Sequence, residues 1–340
     1  MQIPFTQTKE YLSWQESVGH ETFYLETKNA VAACVVLDLK VGKVLYCPFG
    51  PVFADGSTDE DVKKLVSELK KKVEELNCVF IRLEPRLHRL KDFTDFYSPP
   101  TKTYNTDGIF QPRLEWVLDL DKTQNEIYES FSKNCRYSIR RSEKEMEAGN
   151  VKIEIVENNF QNYFTEFVEL MKETGERNNF LNHEEKYFES IFKSLDAGNL
   201  KSYLVIGKVK KEGTHDRDNM LDVGEEVEWV VNSMAVIILD NENKRANYVY
   251  GGSRNFKREL GVSYKVQFEA IKKATELGCS VYNFGGITNG VFGKPSLQGV
   301  TNFKKQFGGR EQFNGYFYDL PIKRIKYFLY LIYKMFKVII

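Results

Sequence analysis

Apolar positions recur along the chain with two different periods, and the same succession of periods occurs twice. In the first half, residues 30–39 and 43–49 are runs rich in β-branched and aromatic side chains joined by Lys40-Val41-Gly42, which predicts a hairpin. The period then changes. Val62, Leu65, Val66, Leu69, Val73 and Leu76 fall three and four apart with lysines between them, which predicts an amphipathic helix over 59–76. Residues 78–83 follow as a buried strand. In the second half, 228–239 and 245–250 repeat the hairpin, 263–277 the helix, and 281–284 the strand, which here ends in Gly285-Gly286. The correspondence reaches single residues. Glu75-Leu76-Asn77-Cys78 is echoed by Glu276-Leu277-Gly278-Cys279, and Tyr46-Cys47-Pro48-Phe49-Gly50 lines up with Tyr248-Val249-Tyr250-Gly251-Gly252.

Between these units the pattern predicts a strand at 114–120, one long helix over 123–146 ending at Gly149, and a short strand from Val151. Helices at 162–174 and 184–195, a strand at 202–209 and a charged loop over 210–223 complete it. Each half is then a mostly antiparallel sheet with a helix crossing over to a further strand. That is the plan of an N-acetyltransferase-like (GNAT) unit. The expected fold is α/β, with two tandem GNAT-like domains divided near residue 150 and a ligand cleft where the two copies meet.

Composition narrows the field only a little. Lys plus Arg number 48 and so do Asp plus Glu, so no global field steers the molecule toward a polyanion. Cys34, Cys47, Cys78, Cys135 and Cys279 have neither disulfide nor zinc spacing and read as reduced core thiols. With Met1-Gln2-Ile3-Pro4-Phe5 leading into polar residues rather than an apolar leader, the expectation is a cytosolic chain.

The stretches YCPFGPV (46–52), FIRLEP (80–85), QPRLEWVLDL (111–120), CRYSIRRSEKE (135–145), YVYGGS (248–253), YNFGGI (282–287), NFKKQFGG (302–309) and YDLPI (318–322) resemble the Fem-type aminoacyltransferases, in the right order over nearly the whole chain. The resemblance implies two fused GNAT-like units that move an amino acid from aminoacyl-tRNA onto the stem-peptide side-chain amine of a peptidoglycan precursor. That acceptor is either lipid II or UDP-MurNAc-pentapeptide. It implies neither cofactor nor metal, and it assigns residues 1–150, with a returning tail 316–340, to the acceptor and 151–315 to the donor. No segment carries the roughly three to four sustained heptads of the coiled-coil arm found in some relatives, so the compact form is expected.

Candidate residues follow position by position. Phe303-Lys304-Lys305-Gln306-Phe307-Gly308-Gly309 holds a cation between aromatics. Attack of an amine on an ester creates an oxyanion, and a preorganised donor there is worth roughly 3–4 kcal/mol. The family places that donor on the lysine after the phenylalanine, hence Lys304 with Phe303. The alternative is a pair of lysines flanking an amphipathic strand. Glu84 stands where relatives carry an acidic residue that orients the acceptor or takes its proton; the alternative is an ion pair with Arg82 or Arg86. Tyr250 and Tyr187 match acceptor-site tyrosines, Tyr264 joins them as a binding candidate, and His183 occupies the place of a phosphate-binding arginine. A second phosphate-binding position, a lysine near Trp14, has no equivalent.

Three further features bear on partners. In the C-terminal segment, Lys323, Lys326, Lys334 and Lys337 fall on one helical face and Ile325, Phe328, Leu329, Ile332, Met335 and Phe336 on the other. The segment is interrupted by lysines and too short to span a bilayer, which needs about 20 mostly apolar residues. It either touches a membrane over 322–340 or packs on the first domain. Lys133, Arg136, Arg140, Arg141 and Lys144 form a basic helix face diluted by glutamates, read as solvated rather than as a tRNA surface. Finally, Arg258-Glu259-Leu260-Gly261-Val262-Ser263 faintly matches the pyrophosphate loop of acyl-CoA-dependent enzymes. Acyl-CoA use and a non-catalytic membrane-associated scaffold are therefore the two alternatives.

Overall fold

The computed structural model describes residues 2–85, 110–178, 183–198, 200–211, 228–293 and 295–339. Arg86 and most of the expected loop 210–223 lie outside the described residues, as do the side chains of Met335, Phe336 and Lys337. In chain order the first elements are α1 (Lys9–Ser17), β1 (Thr22–Glu26), β2 (Ala30–Leu39), β3 (Gly42–Cys47), β4 (Val52–Phe53), α2 (Asp59–Glu75) and β5 (Phe80–Leu83). Then come β6 (Leu114–Asp119), α3 (Gln124–Glu129), α4 (Lys133–Glu147), β7 (Val151–Val156), α5 (Phe164–Asn178), α6 (Glu185–Asp196) and β8 (Ser202–Lys210). The last are β9 (Trp229–Asp240), β10 (Arg245–Ser253), α7 (Val262–Glu276), β11 (Val281–Gly286), α8 (Gln298–Lys305), β12 (Arg310–Phe313), β13 (Tyr318–Pro321) and α9 (Arg324–Ile339).

Two mixed sheets result. The first runs β1-β2-β3-β5-β13 with β4 on β2, and the second runs β12-β6-β11-β10-β9-β8-β7. Among the described residues only β3 with β5 and β10 with β11 pair in parallel. Those are the strand pairs joined across α2 and α7, so the two copies seen in the sequence are two hairpin–helix–strand units of the GNAT plan. Their shared Glu-Leu-(Asn/Gly)-Cys signature is a helix end. Asn77 and Gly278 take φ of 56° and 76°, and the amides of Cys78 and Cys279 reach back to the carbonyls of Val73 and Ala274 at 2.9 and 3.0 Å. Asn and Gly tolerate that left-handed conformation best.

Burial on both faces explains why β2 is apolar over most of its length. Alternate residues of β2 point to opposite faces: Ala30, Ala32, Cys34 and Val36 pack under α2, while Ala33, Val35 and Leu37 join a core shared with α1, α5, α6 and the second sheet. That shared core fixes the two sheets against each other. All five cysteines are buried and none forms a disulfide.

Several expectations are corrected. β6 precedes residue 150 yet pairs with β11 and β12 of the second sheet, and Ile127, Phe131, Cys135 and Ile139 of the following helices pack in that sheet's core. The division at 150 therefore does not follow the sheets. The long helix over 123–146 is two helices, because Ser132 caps α4 through Cys135 N–H while its own amide donates to Gln306 O at 2.8 Å. Lys304 and Lys305 end a helix, α8, rather than flank a strand.

The C-terminal segment does return to the first sheet. β13 pairs with β5, and Arg82 donates to both carboxylate oxygens of Asp319 at 2.7 and 2.6 Å. Tyr327 and Tyr330 of α9 then pack on Phe80. Lys334, on the helical face it shares with Lys323 and Lys326, turns inward and is buried.

Candidate active site between the two sheets

A cavity opens where β10 and β11 part. They pair from Arg245/Val281 to Asn247/Asn283 only. Beyond that point β10 shifts register between Tyr248 and Tyr250, and β11 slips against β6 between Asn283 and Gly286. Such irregularities bend a strand and re-aim its side chains. The gap is about 230 Å³, walled by Phe49 and Gln111, by Tyr11 and Trp14 of α1, by Tyr187 of α6, and by Tyr250, Gly285 and Gly286.

Lys304 lies directly behind this glycine wall. It is 7% exposed and donates from Nζ to the carbonyl oxygen of Gly286 at 2.7 Å. Gly285 has φ +76°, and a Cβ placed on it would lie 3.8 Å from Nζ. Any side chain there would be strained and would stand beside the ammonium. Burial pushes the lysine down to about 8, with the negative charge of Glu115 pulling the other way.

A buried polar network holds the glycine wall. Glu115 accepts from Asn283 Nδ2 at 2.9 Å and from Arg245 Nη2 at 3.2 Å, and Asn283 Oδ1 accepts the amide of Gly285 at 2.9 Å. Asn283 also donates to Asn247 Oδ1 at 3.1 Å. These residues sit side by side on β6, β10 and β11. Their sequence signal was a polar residue inside each of three apolar strands, LEWVLDL, YNFGG and ANYVY, which carries meaning only once the strands are known to be neighbours.

Of the expected residues, Tyr187 and Tyr250 both line this cavity, with hydroxyls 3.2 Å apart. Burial raises both, Tyr187 to about 12, so they are neutral hydroxyls at ordinary pH. His183 is exposed and stacks on Tyr187 at 4.1 Å between centroids. Glu84 does not line the cavity. It is fully buried, accepts from Tyr46 Oη at 2.7 Å and pairs with Arg113 at 2.9 Å, a partner that neither sequence alternative named. Tyr46 Oη in turn accepts the amide of Gln111 at 2.9 Å, so Glu84 acts on the cavity wall through Tyr46. Burial raises the Glu84 carboxyl above its ordinary value even against the pull of Arg113.

Phe303 and Tyr264 belong to a second cavity of about 430 Å³ at the start of α7. Their rings are 5.0 Å apart, and Gln306 Nε2 donates to Tyr264 Oη at 2.9 Å. Arg177 and Arg258 line it together with Ser263, and among the described residues no carboxylate does. Burial and the neighbouring charge of Arg258 lower the guanidinium of Arg177. Tyr248, which the sequence did not single out, belongs to the walls of both cavities and divides them. Gly261 has a packing reason for its identity: its φ is +71°, and a Cβ there would meet Ser138 O at 2.5 Å. On α4 the basic face is partly engaged, Arg136 bonding to Glu129 at 2.7 Å and Arg140 to Tyr128 Oη at 3.4 Å.

The sequence model of the FemAB family matches residues 87–210 and 208–335, and the chain belongs to that family. It is 24% identical over 305 residues to the lipid II:glycine glycyltransferase of Staphylococcus haemolyticus, covering 75% of this chain and 71% of that protein. Against the lipid II:glycine glycyltransferase of Staphylococcus epidermidis strain RP62A it is 25% identical over 307 residues, with 75% and 71% covered. Among solved structures, FemX superposes with a TM-score of 0.75 at 20% identity over 96% of this chain and 94% of that one. L-PGS from Bacillus licheniformis superposes at 0.55 with 13% identity over 95% and 91%. At these identities the structural likeness shows the shared fold.

Proposed function

We propose that the protein is an aminoacyltransferase that moves an amino acid from aminoacyl-tRNA to the stem-peptide side-chain amine of a lipid-linked peptidoglycan precursor. The observation that carries this reading is the ammonium of Lys304. An ammonium has three N–H donors. One is spent on Gly286 O, and the other two have no partner among the described residues. In the proposed step the acceptor nitrogen attacks the ester carbonyl carbon. The carbonyl oxygen becomes an oxyanion facing Lys304, the bond to the ribose oxygen breaks, and the amine proton leaves with that oxygen.

The two cavities divide the substrates. The acceptor enters the inter-sheet cavity against Tyr187 and Tyr250, with His183 over Tyr187 and Glu84 holding the wall through Tyr46. The 3′ end of the tRNA enters the second cavity, where Tyr264 and Phe303 offer ring faces and Arg177 and Arg258 positive charge. Support for a lipid-linked acceptor is twofold. The similar staphylococcal proteins are named for lipid II. In addition, among the described residues Arg245 is the only cationic one lining the inter-sheet cavity, and it is bound to Glu115 rather than free to hold a nucleotide diphosphate.

The test is to incubate the protein with mixed charged tRNA and either lipid-linked or soluble precursor and to weigh the products. A mass gain of one or more amino-acid residues on the lipid-linked acceptor is expected. No gain on either acceptor rejects the reading. Gain from acetyl-CoA in place of charged tRNA replaces it with acyl-CoA chemistry.

A further inference from the structure

Helix α9 turns its more apolar side outward. Tyr327 and Tyr330 face the first sheet at 5.1 Å from the Phe80 ring, and Lys334 is buried beside Tyr330. On the opposite side Ile325 is 79% exposed, Phe328 61%, Leu329 54% and Tyr333 36%. At 100° per residue these four cover an arc of roughly 140°. Arg324 and Lys326, both exposed, stand on its two edges. Residues 320–340 contain no aspartate or glutamate. A single exposed leucine needs no explanation. Four large apolar side chains in one stripe, rimmed by cations on a helix without acids, mark a contact surface.

We infer that this face attaches the protein to an anionic lipid bilayer. α9 lies in the plane of the interface, its apolar stripe among the acyl chains and Arg324 and Lys326 at the headgroup phosphates. Among the described residues no helix is long and apolar enough to cross a membrane, so the contact is lateral. Charge chooses this occupant over a second copy of the chain. A two-fold pairing through the stripe would set Arg324 and Lys326 against their own copies, with no carboxylate in the segment to offset them. The whole molecule has equal numbers of cationic and anionic residues, so the attraction is a local property of this helix. The inference stands apart from the transfer reading, because attachment needs neither substrate.

The test is sedimentation of the full chain with vesicles of phosphatidylcholine alone or mixed with phosphatidylglycerol. The wild type is expected to bind the phosphatidylglycerol vesicles and to bind neutral ones more weakly. Replacing the stripe (Ile325→Gln with Phe328→Gln and Leu329→Gln) is expected to cut partitioning by about tenfold or more, with an unchanged thermal melt because those side chains are already in water. Arg324→Gln with Lys326→Gln is expected to remove the preference for phosphatidylglycerol. Wild-type protein that ignores the vesicles, or a stripe variant that binds as well as the wild type, overturns the inference. So does a wild-type dimer in solution that the stripe variant abolishes, without vesicle binding.

Discussion

Replacing Lys304 with methionine tests the burial on which the site depends. Methionine keeps most of the length and loses the charge. In the folded protein the lysine titrates at about 8, against 10.5 in its unperturbed state. Each unit corresponds to about 1.4 kcal/mol, so carrying the charge at neutral pH costs the fold about 3 kcal/mol. Against this, the variant leaves the carbonyl of Gly286 without its donor, a loss of about 1 kcal/mol. The methionine variant is therefore expected to be more stable than the wild type by about 2 kcal/mol at pH 7. The sign changes with pH in a defined window. Between pH 8 and 10.5 the unfolded wild-type chain holds the proton that the folded one has lost, so wild-type stability rises across that range. The variant lacks this rise, and its advantage should vanish toward the top of the window. Urea unfolding of both proteins at pH 7, 8.5 and 10 measures the difference. A variant that is less stable at pH 7, by a margin that does not change with pH, refutes the burial argument.

The other expectations concern the return of the chain and the two substrates. Asp319→Asn leaves Arg82 buried without its partner and is expected to cost about 3–5 kcal/mol, read as a lower urea midpoint at constant slope; a loss below 1 kcal/mol would contradict it. Arg258→Ala, at an exposed position of the second cavity, should raise KM for charged tRNA, leave KM for the acceptor alone, and flatten the salt dependence by about 0.7 of a log unit per log unit of salt. Tyr250→Phe removes one of two paired hydroxyls and is expected to raise KM for the acceptor about fivefold with kcat little changed; an unchanged KM would remove that tyrosine from the acceptor site.

The repeated architecture was readable because the switch from strand to helix period happens twice and both helices end on the same residue signature. Motif order alone made Lys304, Tyr187 and Tyr250 candidates, and the fold puts the two tyrosines on the wall of the inter-sheet cavity and Lys304 behind Gly286. What escaped were consequences of distance in sequence. β6 looks like the last strand of the first half until β11 and β12, more than 160 residues later, pair with it. The break at Ser132 is set by Gln306, and the direction of Lys334 by the first sheet. Two arginines, Arg82 and Arg86, stand beside Glu84 in sequence, and only the fold assigns Arg82 to Asp319 and the more distant Arg113 to Glu84. Phe303 lines the second cavity while Lys304 lies behind Gly286, and Tyr248, whose place follows from the bulge in β10, walls both cavities.

The most direct test of the account is the single-turnover rate of amino-acid transfer by wild type and the Lys304→Met variant, with charged tRNA and lipid-linked acceptor both saturating. Loss of a preorganised oxyanion donor is expected to slow the step by about a hundred- to a thousand-fold, with both dissociation constants unchanged. Transfer at the wild-type rate would mean that the ammonium behind Gly285 and Gly286 does not meet the oxyanion.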